Sequence, residues 1–291
     1  MKALKVLPIT LLLAALVATA QTTTQNQKPA DPNQKTPAAT PIPAGKRPPQ
    51  AKTKPEYDAY VALVGLKDPA AVEKAADDFV TKFPDSELKS AAYQRAMVAY
   101  QQAGNDDKTV ELGRKSLTYN PDDPGVLVAL ADTLVQRTRE TDLDKDERLA
   151  EATKFAQHSL QTVGDYPAPP NMPAEQVTEV KNDLRSAAYA AIGAAAYTNK
   201  KYADAETNFK QALDVTKTNP DPTTMLRLTL ALDKQNKYPE ALDEANKILA
   251  IPNVDPRVSG LAQQEKDRLS KLVPAAPKPA VPATAAPVTP K

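Results

Sequence analysis

The chain has no cysteine, no tryptophan, a single histidine and only 8 glycines in 291 residues. Zero cysteine removes disulfides, thiolate zinc sites, iron–sulfur clusters and cysteine nucleophiles together. One histidine removes histidine-pair metal sites and multi-histidine relays. The few glycines form no paired fingerprint, so no loop of the kind that cradles phosphate is present. Neither charge dominates: 37 Lys+Arg stand against 36 Asp+Glu, a net of +1, which argues against a nucleic-acid surface built on basic excess. Alternating apolar runs bounded by Asn-Gly or Asp-Gly turns are also missing, and with them any strand signal. An all-α chain with little catalytic vocabulary remains.

Proline is frequent, 28 in all, and half of it gathers in two end segments. Lys2 and Lys5 open the chain, Val6 to Val17 is uncharged and mostly apolar, and Ala18-Thr19-Ala20 supplies small residues before Gln21. This is the layout of a secretory signal peptide over 1–20. The apolar run falls short of the ~20 residues of a spanning helix, which favours cleavage and export, to the periplasm or the exterior, over retention as an anchor. Residues 21–55 carry eight prolines among Gln, Thr, Lys and Ala, with no aliphatic periodicity. Such a segment buries too little to offset its ordering entropy and reads as a disordered linker. Residues 273–291, with six prolines and only Lys278 and Lys291 charged, read as a second disordered arm.

Between the arms, residues 56–272 alternate amphipathic helical stretches with short breaks. Breaks are expected at Lys67-Asp68-Pro69, Pro84-Asp85-Ser86, Gly104-Asn105-Asp106, Asn120 to Pro124, Gly164 to Pro173, Asn199-Lys200-Lys201, Asn219 to Pro222 and Pro252 to Pro256. Asp122 or Asp123 is the clearest N-cap. Helices joined by such short turns are antiparallel neighbours, so the segment is a run of helical hairpins.

The hairpins repeat. Tyr189, Ile192 and Gly193 lie on one expected helix, and Tyr202, Ala205, Phe209, Ala212 and Leu213 on the next. The pattern returns at Leu228 and Leu232, then Tyr238, Ala241, Ala245 and Ile248, with Tyr202 and Tyr238 36 residues apart. Tyr93, Ala96, Met97 and Tyr100 match the first helix upstream, followed by a poorer second helix with Thr109, Gly113 and Ser116 at the small positions. Leu127, Leu130, Ala131 and Leu134 begin a further unit. Its second helix, with Ala152, Ala156, Ser159 and Leu160, is delayed by an insertion at Arg137 to Asp146. This pattern resembles the tetratricopeptide repeat (TPR) family. The stretch Phe79 to Leu88 is similar to the sub-type found in bacterial envelope members, among them outer-membrane assembly lipoproteins and Tol–Pal coordinators. The resemblance implies a right-handed α-solenoid of about five hairpins. Val258, Leu261, Ala262, Leu269 and Leu272 would form the apolar stripe of a C-terminal capping helix.

His158 has only Glu151 and Lys154 near it on its own expected helix, which suggests a surface hydrogen bond rather than a general base. Asp142, Asp144 and Asp146 alternate as calcium ligands do, but no turn glycine or closing glutamate accompanies them, and Lys145 and Arg148 intrude. A solvated, charged insertion is the better reading. No catalytic, cofactor or metal residues are assigned. The TPR resemblance instead implies that peptide partners lie on the concave face made by the first helix of each hairpin. Helical offset from the packing positions places Gln94, Val98 and Gln101 there, then Val128 and Asp132, then Tyr197, then Leu226, Leu230 and Asp233. The paired Lys, Asn and Arg with which some members clamp a terminal carboxylate do not stand at these places. The lining is small, neutral and apolar, suited to an extended or helical protein segment. The expected role is a non-catalytic exported scaffold or adaptor; the alternative is a structural spacer or assembly coordinator of the cell envelope.

Export carries a direct consequence. Mass spectrometry of the chain recovered from an exporting cell should find Gln21 as the first residue; an intact Met1 or Lys2 start would remove the signal-peptide reading.

Overall fold

The computed structural model describes residues 47–273. The signal-like leader, most of the expected linker and the tail beyond Val273 lie outside the described residues. Within them the regular structure is helical. The helices are α1 (Lys54–Val64), α2 (Pro69–Lys82), α3 (Lys89–Gln102), α4 (Asp106–Tyr119), α5 (Pro124–Arg137) and α6 (Lys145–Thr162). They continue with α7 (Ala174–Thr198), α8 (Tyr202–Val215), α9 (Pro222–Asp233), α10 (Tyr238–Ala250) and α11 (Pro256–Leu269). None is long and apolar enough to cross a membrane.

Local chemistry sets the starts. Four helices open on an Asp-Pro pair in which Asp is the N-cap and Pro the first helical residue. Asp68 accepts from the Ala71 N–H, Asp123 from Gly125 and Val126, Asp221 from Thr223 and Thr224, and Asp255 from Arg257. Proline there forfeits an N–H that has no helical partner, while the carboxylate satisfies others that would be orphaned. The turns inside three hairpins share one closure. Gly104, Lys200 and Asn236 adopt positive φ. The next residue's N–H reaches back five positions, from Asn105 to Tyr100 O, Lys201 to Ala196 O and Lys237 to Leu232 O, at 2.9, 2.9 and 3.0 Å. This helix-terminating motif normally favours glycine, yet Lys and Asn occupy it in two of the three cases.

The helices pair in succession as five hairpins, α1–α2 to α9–α10, with α11 packed on α10 and α9. The result is a tetratricopeptide-like solenoid. First helices of adjacent hairpins also touch: α1 with α3, α5 with α7, α7 with α9, and α9 with α11. No two successive second helices make comparable contact among the described residues. From α5 to α11 the first helices therefore form the tighter layer, the inner side of the stack.

Small residues hold the pairs together. Ala205 and Ala212 on α8 are fully buried beside Phe209, as are Ala241 and Ala245 on α10. A Cβ at Gly193 would meet two Phe209 ring carbons at 2.8 Å, and one at Gly113 would meet Leu130 Cδ2 at 2.6 Å. The second hairpin, poor by sequence match, is thus the one whose Gly113 admits α5 most closely. Thr109 and Ser116 beside it are fully buried. Their hydroxyls are satisfied: Thr109 donates to Asn105 O, and Ser116 to Ser90 O.

Two expectations need correction. Residues 47–55, read as linker, pack against the first hairpins. Arg47 forms a two-pronged bond to Glu87, and Lys52 Nζ donates to Asp85 O. The Glu56 carboxylate, 3% exposed, accepts from the Lys52 N–H and from Ser86 Oγ. A buried carboxylate needs such partners, and these draw the chain down ahead of the first helix. At the other end, Val258, Ala262 and Leu269 of α11 are buried, but Leu261 and Leu272 are exposed. Leu261 lies on the solvent side, and Leu272 falls past the end of the helix.

The two kinds of helical glycine should respond oppositely to alanine. Gly193→Ala places a methyl against Phe209, which cannot retreat within a closed core, and should lower unfolding free energy by about 1–3 kcal/mol. Gly260 in α11 has nothing within 4 Å of a new Cβ, so Gly260→Ala should gain roughly 0.5–1 kcal/mol of helix stability. Denaturant unfolding of both variants measures the signs.

Candidate functional site

The inner face is built from equivalent positions of the first helices. The Asp-Pro starts of α5 and α9 align Val128 with Leu226 and Asp132 with Leu230. The two positions of each pair differ in exposure, and the earlier one points elsewhere. Val128 and Leu226 are each 2% exposed. Val128 packs with Ala131, Ala156, Ala188 and Ala191, and Leu226 with Met225, Ile248, Val258 and Ala262. They seal each hairpin to the next and are withdrawn from the lining. Ala190, at the same place on α7, is also buried.

One turn further along, the side chains reach the surface. Val98, Asp132, Ala194 and Leu230 are half-buried, as are Gln94 and Gln101 on α3 and Tyr197 and Asp233 near the ends of α7 and α9. The face is largely apolar and uncharged in its middle, with Asp132 the exception. Burial raises the Asp132 carboxyl above the usual range, against the charge of Arg227 and a hydrogen bond from Gln136. Arg227 stands on α9, so its charge reaches Asp132 of α5 from two hairpins further along the chain.

Helical offset alone gives Tyr197 no large neighbour. The structure gives it one: its ring meets Tyr202 of α8 edge-on, centroids 5.3 Å apart at 64°, and it leans on the cluster around Phe209, Leu228 and Leu232. Its phenol is raised, first by burial and then by Tyr202, Asp233 and Glu265. Asp233 is already engaged, its carboxylate 2.6 Å from Arg268 of α11. The capping helix therefore behaves as one more first helix, and its end completes the rim beside Tyr197. The helical offset rule missed Tyr202, Arg227 and Arg268 because it considered only one stripe of each helix. The recurrence of Tyr202 at Tyr238 was the available signal for the first.

The other motifs settle as charged structure. Arg148 bonds Asp142 Oδ2 at 3.1 Å and also Asp144, so a guanidinium occupies the space between the alternating acids of the insertion. Among the described residues no group of three or more potential ligands could hold a metal ion. Glu140 of the insertion pairs with Lys200, tying the loop to the next hairpin. His158 does meet a carboxylate, Asp122 at 3.0 Å, which is distant in sequence. The adjacent Ser159 hydroxyl is buried and donates to Pro124 O, so it is not placed as a nucleophile.

No family model matches the chain, and no curated protein matches it. Solved structures similar to it include a Pseudomonas aeruginosa PilF at 18% identity, TM-score 0.49, covering 77% of this chain and 96% of that one. A second is an RpL4 assembly chaperone, Acl4, at 12% identity and TM-score 0.39, covering 75% and 97%. A third is the Cut9–Hcn1 hetero-tetramer of the APC/C, at 15% and 0.31, covering 72% and 45%. The fold follows from the chain's own helix pairing.

One buried acid helps tie the last two hairpins together, and with them Tyr197 and Leu230. Glu206 on α8 receives Lys210 at 2.7 Å, Lys237 at 2.7 Å and Gln235 at 2.8 Å. Burial alone would raise its pKa, but these three bonds outweigh it and hold the carboxyl at about 2, against 4.5 when free. A depressed folded pKa stabilises above the unfolded value and loses that contribution as pH falls through the folded one. Unfolding free energy should therefore decline between pH 4.5 and about 2, and Glu206→Gln should shallow that decline while lowering stability at neutral pH. Equal slopes in the two proteins would exclude Glu206 as its source.

Proposed function

We propose that the chain is an exported, non-catalytic scaffold that holds an extended or helical segment of another protein on its inner face. The observation that carries this reading is the row Val98, Asp132, Ala194 and Leu230, half-exposed at matching positions, backed by neighbours that are fully packed. A rigid scaffold loses little freedom when a segment docks, so the ordering cost falls mainly on the ligand. A few apolar contacts then dominate affinity, and Tyr197 and Leu230 are the largest apolar groups offered near one another. The export component rests on the leader sequence and has the envelope as its natural setting.

A second reading makes the solenoid a spacer, with the Pro-rich arms as the attachments; the presence of such a sequence at both ends favours it. Capture from envelope extract distinguishes the two. Under the scaffold reading, Tyr197→Ala with Leu230→Ser weakens partner capture at least tenfold, about 1.4 kcal/mol or more, while the circular dichroism spectrum stays helical. Gln211→Ala and Glu244→Ala, on second helices, leave capture unchanged. Capture that survives the groove pair but is lost on removing the arms supports the spacer.

A further inference from the structure

The end of α11 brings the chain back to the inner face. Arg268 is bonded to Asp233, and Leu269, fully buried, joins the cluster that contains Phe209 and Leu232 and on which Tyr197 leans. The N–H groups of Leu272 and Val273 still bond back to Leu269 O, so the described chain ends beside the Tyr197 rim and not on the outer layer. From Val273 the sequence runs Val-Pro-Ala-Ala-Pro-Lys-Pro-Ala, and Val281 and Val288 come later among more alanine and proline. Such sequences favour the polyproline helix, which docks on aromatic-lined grooves with little ordering cost. The nearest aromatic surface is the edge-on pair Tyr197 and Tyr202, both half-exposed.

Length permits more than that first contact. First helices lie about 8–10 Å apart, so the path from α11 over α9 and α7 to α5 is on the order of 30 Å. At about 3.1 Å per residue in the polyproline form, residues 274–291 reach roughly 55 Å. Small side chains match a floor of Ala194 and Leu230, and only Lys278 and Lys291 carry charge. Asp132, deeper along the face, forms no salt bridge with any described residue.

We infer that the chain's own C-terminal segment, residues 274–291, occupies the inner face, beginning on Tyr197 and Tyr202. This rests on the inner-face reading above and adds a regulation to it: an external segment must displace the tail, so apparent affinity is lowered by the fraction of chains with the face covered. A second copy and an unrelated partner are the other possible occupants.

Because the chain lacks cysteine, Ala276→Cys gives a unique site for a thiol-linked benzophenone on the otherwise complete chain. Photolysis of the dilute monomer, followed by peptide mapping, should place intrachain cross-links on α7 and α9, including the peptides with Tyr197 and Leu230. Their yield should fall at least fivefold with Tyr197→Ala. It should fall equally with Pro274→Gly, Pro277→Gly and Pro279→Gly combined, which leave the solenoid untouched. Cross-links spread without preference, placed on α10 or on α8 beyond its first turn, or joining two chains would overturn the inference. Scattered cross-links alongside a groove pair that still loses partner capture would remove the tail alone. Cross-links on α7 and α9 with partner capture unaffected would keep the tail and remove the external-segment reading.

Discussion

The close approach of paired helices is the constraint on which the rest depends. At the closest approaches, within a hairpin and between hairpins, a glycine on one helix faces a larger side chain on another. Gly193 accepts the Phe209 ring, and Gly113 accepts Leu130 and Met97. Short helices gain little from intrinsic propensity and need tertiary packing to persist in water. Small residues shorten the distance over which that packing acts, and they turn a weakly amphipathic helix such as α3 into a firmly buried one. Its Ala92, Ala96 and Met97 are buried almost completely. The inner face is a consequence, since from α5 onward the first helices touch one another where the second helices do not.

Much of this was legible because repetition multiplies weak signals. Any single Ala-x3-Phe spacing is ordinary core, but Tyr202 and Tyr238 preceding the same face fixed both hairpins and their turns. The turn residues in the structure, Lys200 and Asn236 at positive φ, stand where the sequence pattern puts those turns. Asp123 caps as expected, and the Asp-Pro pairs extend that rule to three further helices. Legibility failed where a contact depended on distant chain. Nothing near Glu56 in sequence announces that Ser86 will bond it, and nothing near His158 announces Asp122.

The inner face was legible in period but not in phase. Choosing the stripe at Val128, Asp132 and beyond assumed that the whole stripe faces solvent. In a curved stack the portion of a first helix nearest the next hairpin is covered by it, which removed Val128 and Leu226. The portion lying a turn further along the helix stays open. The phase is set by where each helix begins, through the Asp-Pro caps, together with the angle between hairpins. That angle depends on side chains such as Glu206, whose partners Gln235 and Lys237 belong to the following hairpin. Local sequence carries the first of these and not the second.

A solenoid whose units contact only their neighbours leaves two hairpins with one uncovered side each. Here α11 covers the last hairpin through Val258, Ala262 and Leu269, while residues 47–53 are held at the α2–α3 connection, Arg47 by Glu87 and Lys52 by Asp85 and the buried Glu56. These contacts also determine where the Pro-rich sequences depart. One leaves from Arg47 beside Glu87, at the start of α3; the other leaves beside Tyr197, at the rim of the inner face. The two arms are therefore not equivalent tethers, because only the second emerges against the surface on which a partner segment would lie.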